Sequence, residues 1–150
     1  MFSVELKADT LNAGLAELKA NVTDWTPAMK LIGEYLVTST KKRFETATGP
    51  EGSKWAPNSP VTLARKSNSS PLIGNEGILK DQFGIDYGPD FAEIGSTLIY
   101  AAMMQFGGTK ARFPHLWGNI PARPFLGLSP EDETNILALV VDYLTPATGP

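Results

Sequence analysis

Ile120-Pro121-Ala122-Arg123-Pro124-Phe125-Leu126-Gly127, entered from Tyr100-Ala101-Ala102-Met103-Met104-Gln105-Phe106-Gly107-Gly108, is the stretch on which the reading of this chain turns. Two prolines fix φ and remove two backbone donors, so the run is neither a helix interior nor a central strand. It nevertheless carries Ile120, Phe125 and Leu126, side chains that an exposed loop does not normally display. A stiff apolar segment ending in glycine is either tucked into a core or presented to a partner. Arg123, held between the two prolines, either binds carbonyls inside its own loop or reaches a neighbouring subunit.

Outward from this run the chain is 150 residues long, with 42% apolar and 19% charged residues. It is long enough to bury a core without staples, and we read residues 1–145 as one domain and 146–150 as a flexible tail. The net charge of −3 names no partner and lacks the basic balance of most nucleic-acid modules. The absence of cysteine excludes disulfides, thiolate metal sites and thiol nucleophiles. No charged segment followed by an apolar one opens the chain, and no apolar run reaches membrane length, so it is expected to be made in the cytosol and to have no membrane partner.

Phe2, Val4 and Leu6 alternate with polar residues as a half-buried first strand. Asp9-Thr10 offers a cap for a helix carrying Leu11, Leu15, Leu18 and Val22. Thr26-Pro27 reads as a cap and first helical position of the longest helix, over 27–46, with Met29, Ile32, Leu36 and Phe44 along one stripe and Tyr35 beside it. From Ala47 to Asn75 the chain is loop-like, with a short helix after Ser59-Pro60. Phe83, Ile85 and Tyr87, a Gly88-Pro89-Asp90 turn, then Ala92 and Ile94 read as a β-hairpin. Tyr100 to Phe106 makes two helical turns stopped by Gly107-Gly108, and a second loop covers Thr109 to Asn119. Ser129-Pro130-Glu131-Asp132 combines cap, proline and acidic first turn for a last helix whose core face is Ile136, Leu139, Val140, Tyr143 and Leu144.

Residues suited to catalysis are few. His115 is the only histidine, which excludes a two-histidine metal site within one subunit. It stands in a loop with no carboxylate nearby in sequence, a poor setting for a Ser-His-acid arrangement. Glu131, Asp132 and Glu133 are explained by the helix dipole, and Asp81, Asp86, Asp90 and Glu93 lack calcium-loop spacing. Gly49-Pro50-Glu51-Gly52 lacks the ending of a phosphate loop. The basic residues, among them Lys41, Lys42, Arg43, Lys54, Arg65, Lys66 and Arg123, are dispersed and read as a solvated mixed surface. The expectation is a protein that is not an enzyme, with no catalytic, cofactor-binding or metal residues and no cofactor. What remains is a set of large side chains in loops: Trp55, Phe113, Trp117 and Phe125. They either fold back over the core or anchor other subunits, as tryptophan and arginine often do.

The order of these elements resembles the phage virion morphogenesis family, which includes the tail completion proteins of P2-like phages and the Mu-like morphogenesis protein. The matching residues are Arg43-Phe44, Gly49-Pro50-Glu51-Gly52-Ser53-Lys54-Trp55-Ala56-Pro57, Pro71-Leu72-Ile73, Gly77-Ile78-Leu79, Ile94-Gly95-Ser96, Tyr100-Ala101, Gln105-Phe106-Gly107-Gly108 and Ile120 to Ser129. They run from about residue 30 to residue 145, with the last helix included. Where the family commonly has a histidine before the glutamine, this chain has Met104, and the stretch from Gly108 to Ile120 has its own composition.

Taken together, the expected fold is α+β, the long helix and C-terminal helix packed on a small, mainly antiparallel sheet with two long loops. The resemblance implies a structural virion protein at the tail end or neck. It would complete the tail or join it to the head as a homo-oligomeric ring around the DNA channel, assembled in the host cytoplasm. Its implied partners are copies of itself, other neck, connector or tail tube proteins, and non-specifically the DNA of the channel. The alternative is a transient assembly factor absent from the mature particle. The subunit or partner contacts expected are Lys54, Trp55, Arg112, Phe113, Trp117, Arg123 and Phe125.

Overall fold

A computed structural model describes residues 13–14, 24–66, 68–73, 77–116 and 118–144 of the chain. The expected first strand, most of the expected first helix and the C-terminal tail lie outside the described residues. Ala13 and Gly14 are helical, as the Leu11 to Val22 spacing predicts.

Helix α1, Thr26–Thr46, is the spine. It begins at Thr26, one residue before the expected start: Trp25, not Thr26, occupies the cap position, and the Asp24 carboxylate accepts the Thr26 N–H at 3.0 Å. Its apolar stripe divides between two clusters of buried side chains. Trp25, Ala28 and Ile32 meet Ile136 and Val140 of the last helix, α5, Pro130–Leu144. Farther along, Phe44 meets Trp55, Leu79, Ala101, Phe125 and Leu126. Tyr143, expected on the core face of α5, is instead largely exposed, its hydroxyl 3.5 Å from the Asp24 carbonyl. Since Asp132 at the start of α5 binds Arg43 near the end of α1, the two helices run antiparallel.

The hairpin forms as its alternation predicts. Strands β1, Gly84–Tyr87, and β2, Ala92–Gly95, pair antiparallel with Ile85 opposite Ile94 and Asp86 opposite Glu93. A two-stranded sheet alone is marginal. This one lies on α1, where a side chain at Gly33 would meet the Ile85 Cγ2 at 2.6 Å. Three short helices complete the described elements. α2, Pro60–Arg65, is capped by Ser59 as expected, α3, Ile78–Asp81, was not foreseen from the sequence, and α4, Ala101–Phe106, ends at Gly107. The α+β class, the small antiparallel sheet and the two long helices agree with the sequence reading, whereas α5 packs chiefly on α1 and α1 on the sheet.

Gly107 stops α4 and begins the descent into the proline-rich run. Its φ of 70° with ψ of 179° is a backbone state left almost entirely to glycine. A Cβ there would lie 2.6 Å from the Ala122 nitrogen and 2.7 Å from the Ile120 oxygen. Both are backbone atoms of a rigid segment, so neither yields. Gly107→Ala is expected to cost about 2–4 kcal/mol, read as a lowered urea midpoint at unchanged slope.

Candidate functional site

The Ile120 to Gly127 run is held at every step by groups from elsewhere in the chain. Gly108 and Ile120 exchange two backbone hydrogen bonds of 2.9 and 2.7 Å, and the Arg123 N–H donates to the Met104 carbonyl at 2.9 Å. Loop backbone has no ladder to satisfy it, so buried N–H and C=O groups need side-chain partners. Gln105 supplies three. Its Oε1 accepts the N–H groups of Phe125 and Leu126, both at 3.0 Å, and its Nε2 donates to the Leu126 carbonyl at 3.1 Å.

The same run is clasped to the Trp55 loop from both sides. The Trp55 indole donates to the Pro124 carbonyl at 2.7 Å. Arg123 returns two bonds of 2.8 Å, from Nε to the Ala56 carbonyl and from Nη2 to the Pro57 carbonyl. The two most distinctive motifs of the sequence, Lys54-Trp55-Ala56-Pro57 and Ala122-Arg123-Pro124-Phe125, are therefore partners of each other. Between them the aromatic rings of Phe44, Trp55, Phe83 and Phe125 pack with centroids 5.3–6.0 Å apart.

Beneath the loop lies a buried ion pair. Arg43 donates through Nη1 to the Phe125 carbonyl at 2.8 Å and through Nη2 to Asp132 Oδ2. Asp132 also accepts from the Tyr35 and Ser39 hydroxyls and from the Ser129 N–H, while its own N–H bonds the Ser129 hydroxyl at 3.0 Å. Ser129 and Asp132 thus form a capping box with aspartate in the usual place of glutamate. Each carboxylate oxygen of Asp132 has two partners, which fills its acceptor capacity. Burial alone would raise the Asp132 pKa. The bonds from Ser129, Ser39 and Tyr35, together with the Arg43 charge, more than offset it and hold the carboxyl below its ordinary value.

Sequence reading leaves Trp55, Arg123 and Phe125 between folding back over the core and contacting a neighbour, and the structure buries all three within one chain. Phe125 has no exposed surface and Arg123 is 8% exposed, because the ring closes the Phe44 cluster and the guanidinium answers two loop carbonyls. Arg43 likewise leaves the dispersed basic surface for the interior. Lys54 is exposed at the Thr48–Lys54 bridge. Arg112 is exposed over the Phe113 ring at 5.7 Å, and Phe113, half-buried, lies 6.3 Å from the His115 ring. Trp117 lies outside the described residues. The expected contacts are thus not brought together as one surface. The sequence reading passed over Gln105 and Asp132 as individual functional residues. Asp132 was legible only as a capping residue, and Gln105 had no signal beyond its place in the motif.

Among the described residues no group of three or more His, Asp or Glu side chains is placed to hold a metal, and no helix is long and apolar enough to cross a membrane. A polar recess of about 490 Å³ opens beside the ion pair, bordered by Thr38, Lys42, Thr46, Glu131 and Asn135. What this arrangement does chemically is hold backbone in place.

A frame whose buried polar side chains bind its own loop defines a structural scaffold. The comparisons agree: the chain belongs to the phage virion morphogenesis family, whose sequence profile matches residues 6–145. It is 36% identical over 112 residues, 71% of each chain, to a protein of Escherichia phage Mu named "Putative capsid assembly protein G". It is 28% identical over 144 residues, 95% of this chain and 96% of the other, to "Mu-like prophage FluMu G protein 2" of Haemophilus influenzae. No solved structure matches the chain significantly. Membership carries a structural or assembly role in phage morphogenesis.

Two measurements follow from the site. Gln105→Leu strands buried backbone groups at Phe125 and Leu126, and a loss of about 2–4 kcal/mol in denaturant unfolding is expected. For Asp132, the folded pKa lies below the unfolded one, so its stabilisation is complete above about pH 4 and is lost as pH falls through the folded value. Asp132→Asn should lower stability at pH 7 by about 3–5 kcal/mol and flatten the acid limb of the stability profile relative to wild type.

Proposed function

We propose that this chain is a minor structural component of a phage particle that completes the tail or joins it to the head. In this reading it acts as a homo-oligomeric ring around the DNA channel, at the tail end or neck, against connector or tail tube proteins. The observation that carries the proposal is the family match along nearly the whole chain, residues 6–145. The architecture supports it. A ring component must hold its loops at fixed angles against neighbours without paying ordering entropy at each contact, and preorganised loops do so. The clasp between Arg123 and the Ala56 and Pro57 carbonyls immobilises the loop this way. Lys54, Arg112, Phe113 and Trp117 are the outward contacts of this reading, and non-specific contact with channel DNA is a subsidiary part of it.

Electron microscopy of particles made without this protein tests the proposal. Full heads beside finished but unattached tails are the outcome expected for joining, and tails of irregular length the outcome expected for completion. Normal infectious particles would overturn both. Mass spectrometry of purified wild-type particles should find the protein. Its absence from particles that nevertheless require it would assign it to a transient assembly step.

A further inference from the structure

The hairpin breaks a local rule. Asp86 and Glu93 stand directly opposite each other across β1 and β2. Ile85 packs on α1 at Gly33, so alternation turns the Asp86–Glu93 pair to the outer face. Like charges directly opposite on one face are destabilising. Asp90 in the turn adds a third carboxylate, and from residue 81 to residue 109 the chain has no lysine or arginine. Neither Asp86, Asp90 nor Glu93 has an ion-pair partner among the described residues. Asp86 and Asp90 are exposed.

The opposite charge is gathered at the other end of α1. From residue 52 to residue 75 the chain has Lys54, Arg65 and Lys66 and no carboxylate, the flanking acids in sequence being Glu51 and Glu76. Lys54 and Arg65 are exposed. Lys66 donates to the Ser70 carbonyl at 2.6 Å, and burial together with the charge of nearby Arg123 lowers its pKa. Arg123 is itself bound to carbonyls and to no carboxylate.

Ala92, beside the hairpin turn, packs with the Trp25–Ile32 cluster, and Phe83 and Ile94 at the hairpin's open end pack with the cluster that holds Phe44 and Trp55. No ion pair joins the two patches among the described residues, and they are complementary between two chains. Distinct, complementary patches on one subunit generate head-to-tail contacts, which close into a ring where the rotation between copies allows it.

Resting on the ring reading above, we infer that the outer face of the hairpin, Asp86, Asp90 and Glu93, docks on the Lys54–Arg65–Lys66 end of a second copy of this chain. The repulsion that burdens the isolated hairpin is relieved in that contact, a pattern expected where local stability yields to specificity.

Native mass spectrometry and sedimentation of the purified full chain at low and high salt test this. Wild type should form oligomers that weaken with salt. Asp86→Lys/Glu93→Lys and Lys54→Glu/Arg65→Glu should each weaken assembly about tenfold or more, and their mixture should regain oligomers in which the two variants alternate, since every contact between them pairs opposite charges. Combining all four changes should restore assembly. Asp86→Asn/Glu93→Gln should raise the thermal midpoint of the monomer while weakening assembly, which separates lost docking from lost folding. If both charge-reversed variants assemble as wild type does, this contact is wrong while the ring reading stands. A wild type that stays monomeric at every concentration, alone and with tail tubes, overturns both. Duplex DNA retained by a monomeric wild type and lost only in the Lys54→Glu/Arg65→Glu variant assigns the basic end to nucleic acid and overturns the inference.

Discussion

The ion pair between Arg43 and Asp132 is the constraint on which the rest of the structure depends. It joins the end of the spine helix to the start of the C-terminal helix and, through the Phe125 carbonyl, fixes the loop between α4 and α5. A buried pair is a poor source of net stability, because removing two ions from water offsets most of their attraction. Its effect here is on geometry: an apolar pair of the same volume would fill the space but remove the bonds that Arg43 makes to the Phe125 carbonyl and Asp132 to the Ser129 N–H. With Tyr35 and Ser39 also bound, Asp132 admits one arrangement of two helices and a loop.

Above that pair, the loop is built by side chains reading backbone. Gln105 binds three main-chain groups, Arg123 two and Trp55 one. This accounts for the proline content of the two motifs. Pro57, Pro121 and Pro124 remove donors that would need partners of their own, so the remaining carbonyls are met by a few long side chains. A loop satisfied in this way keeps its shape when a neighbour is absent. In the ring reading proposed above, that rigidity is what presents the loops to neighbouring copies at set positions.

Much of the fold was legible in the sequence because its signals are local. The stripe of Met29, Ile32, Leu36 and Phe44, the Ser129-Pro130 start of α5 and the glycine stop after Phe106 each report their own segment. Whether Trp55, Arg123 and Phe125 face a core or a partner was not legible in the sequence, for a physical reason. A large side chain in a proline-rich loop has the same local appearance whether it faces a core or a partner. Arg43 misled similarly, since a lysine-lysine-arginine run at a helix end fits the dipole equally well from the surface.

By itself the sequence determined the α+β class, the long helices, the hairpin and the family, all carried by short-range pattern or by ordered motifs. Only the tertiary structure decided that Asp132 is a buried counter-ion as well as a cap, that Gln105 organises the loop, and that the two proline-rich motifs clasp each other. Those facts depend on residues 20 to 89 positions apart meeting in space. No periodicity or propensity encodes which distant carbonyl an arginine will find.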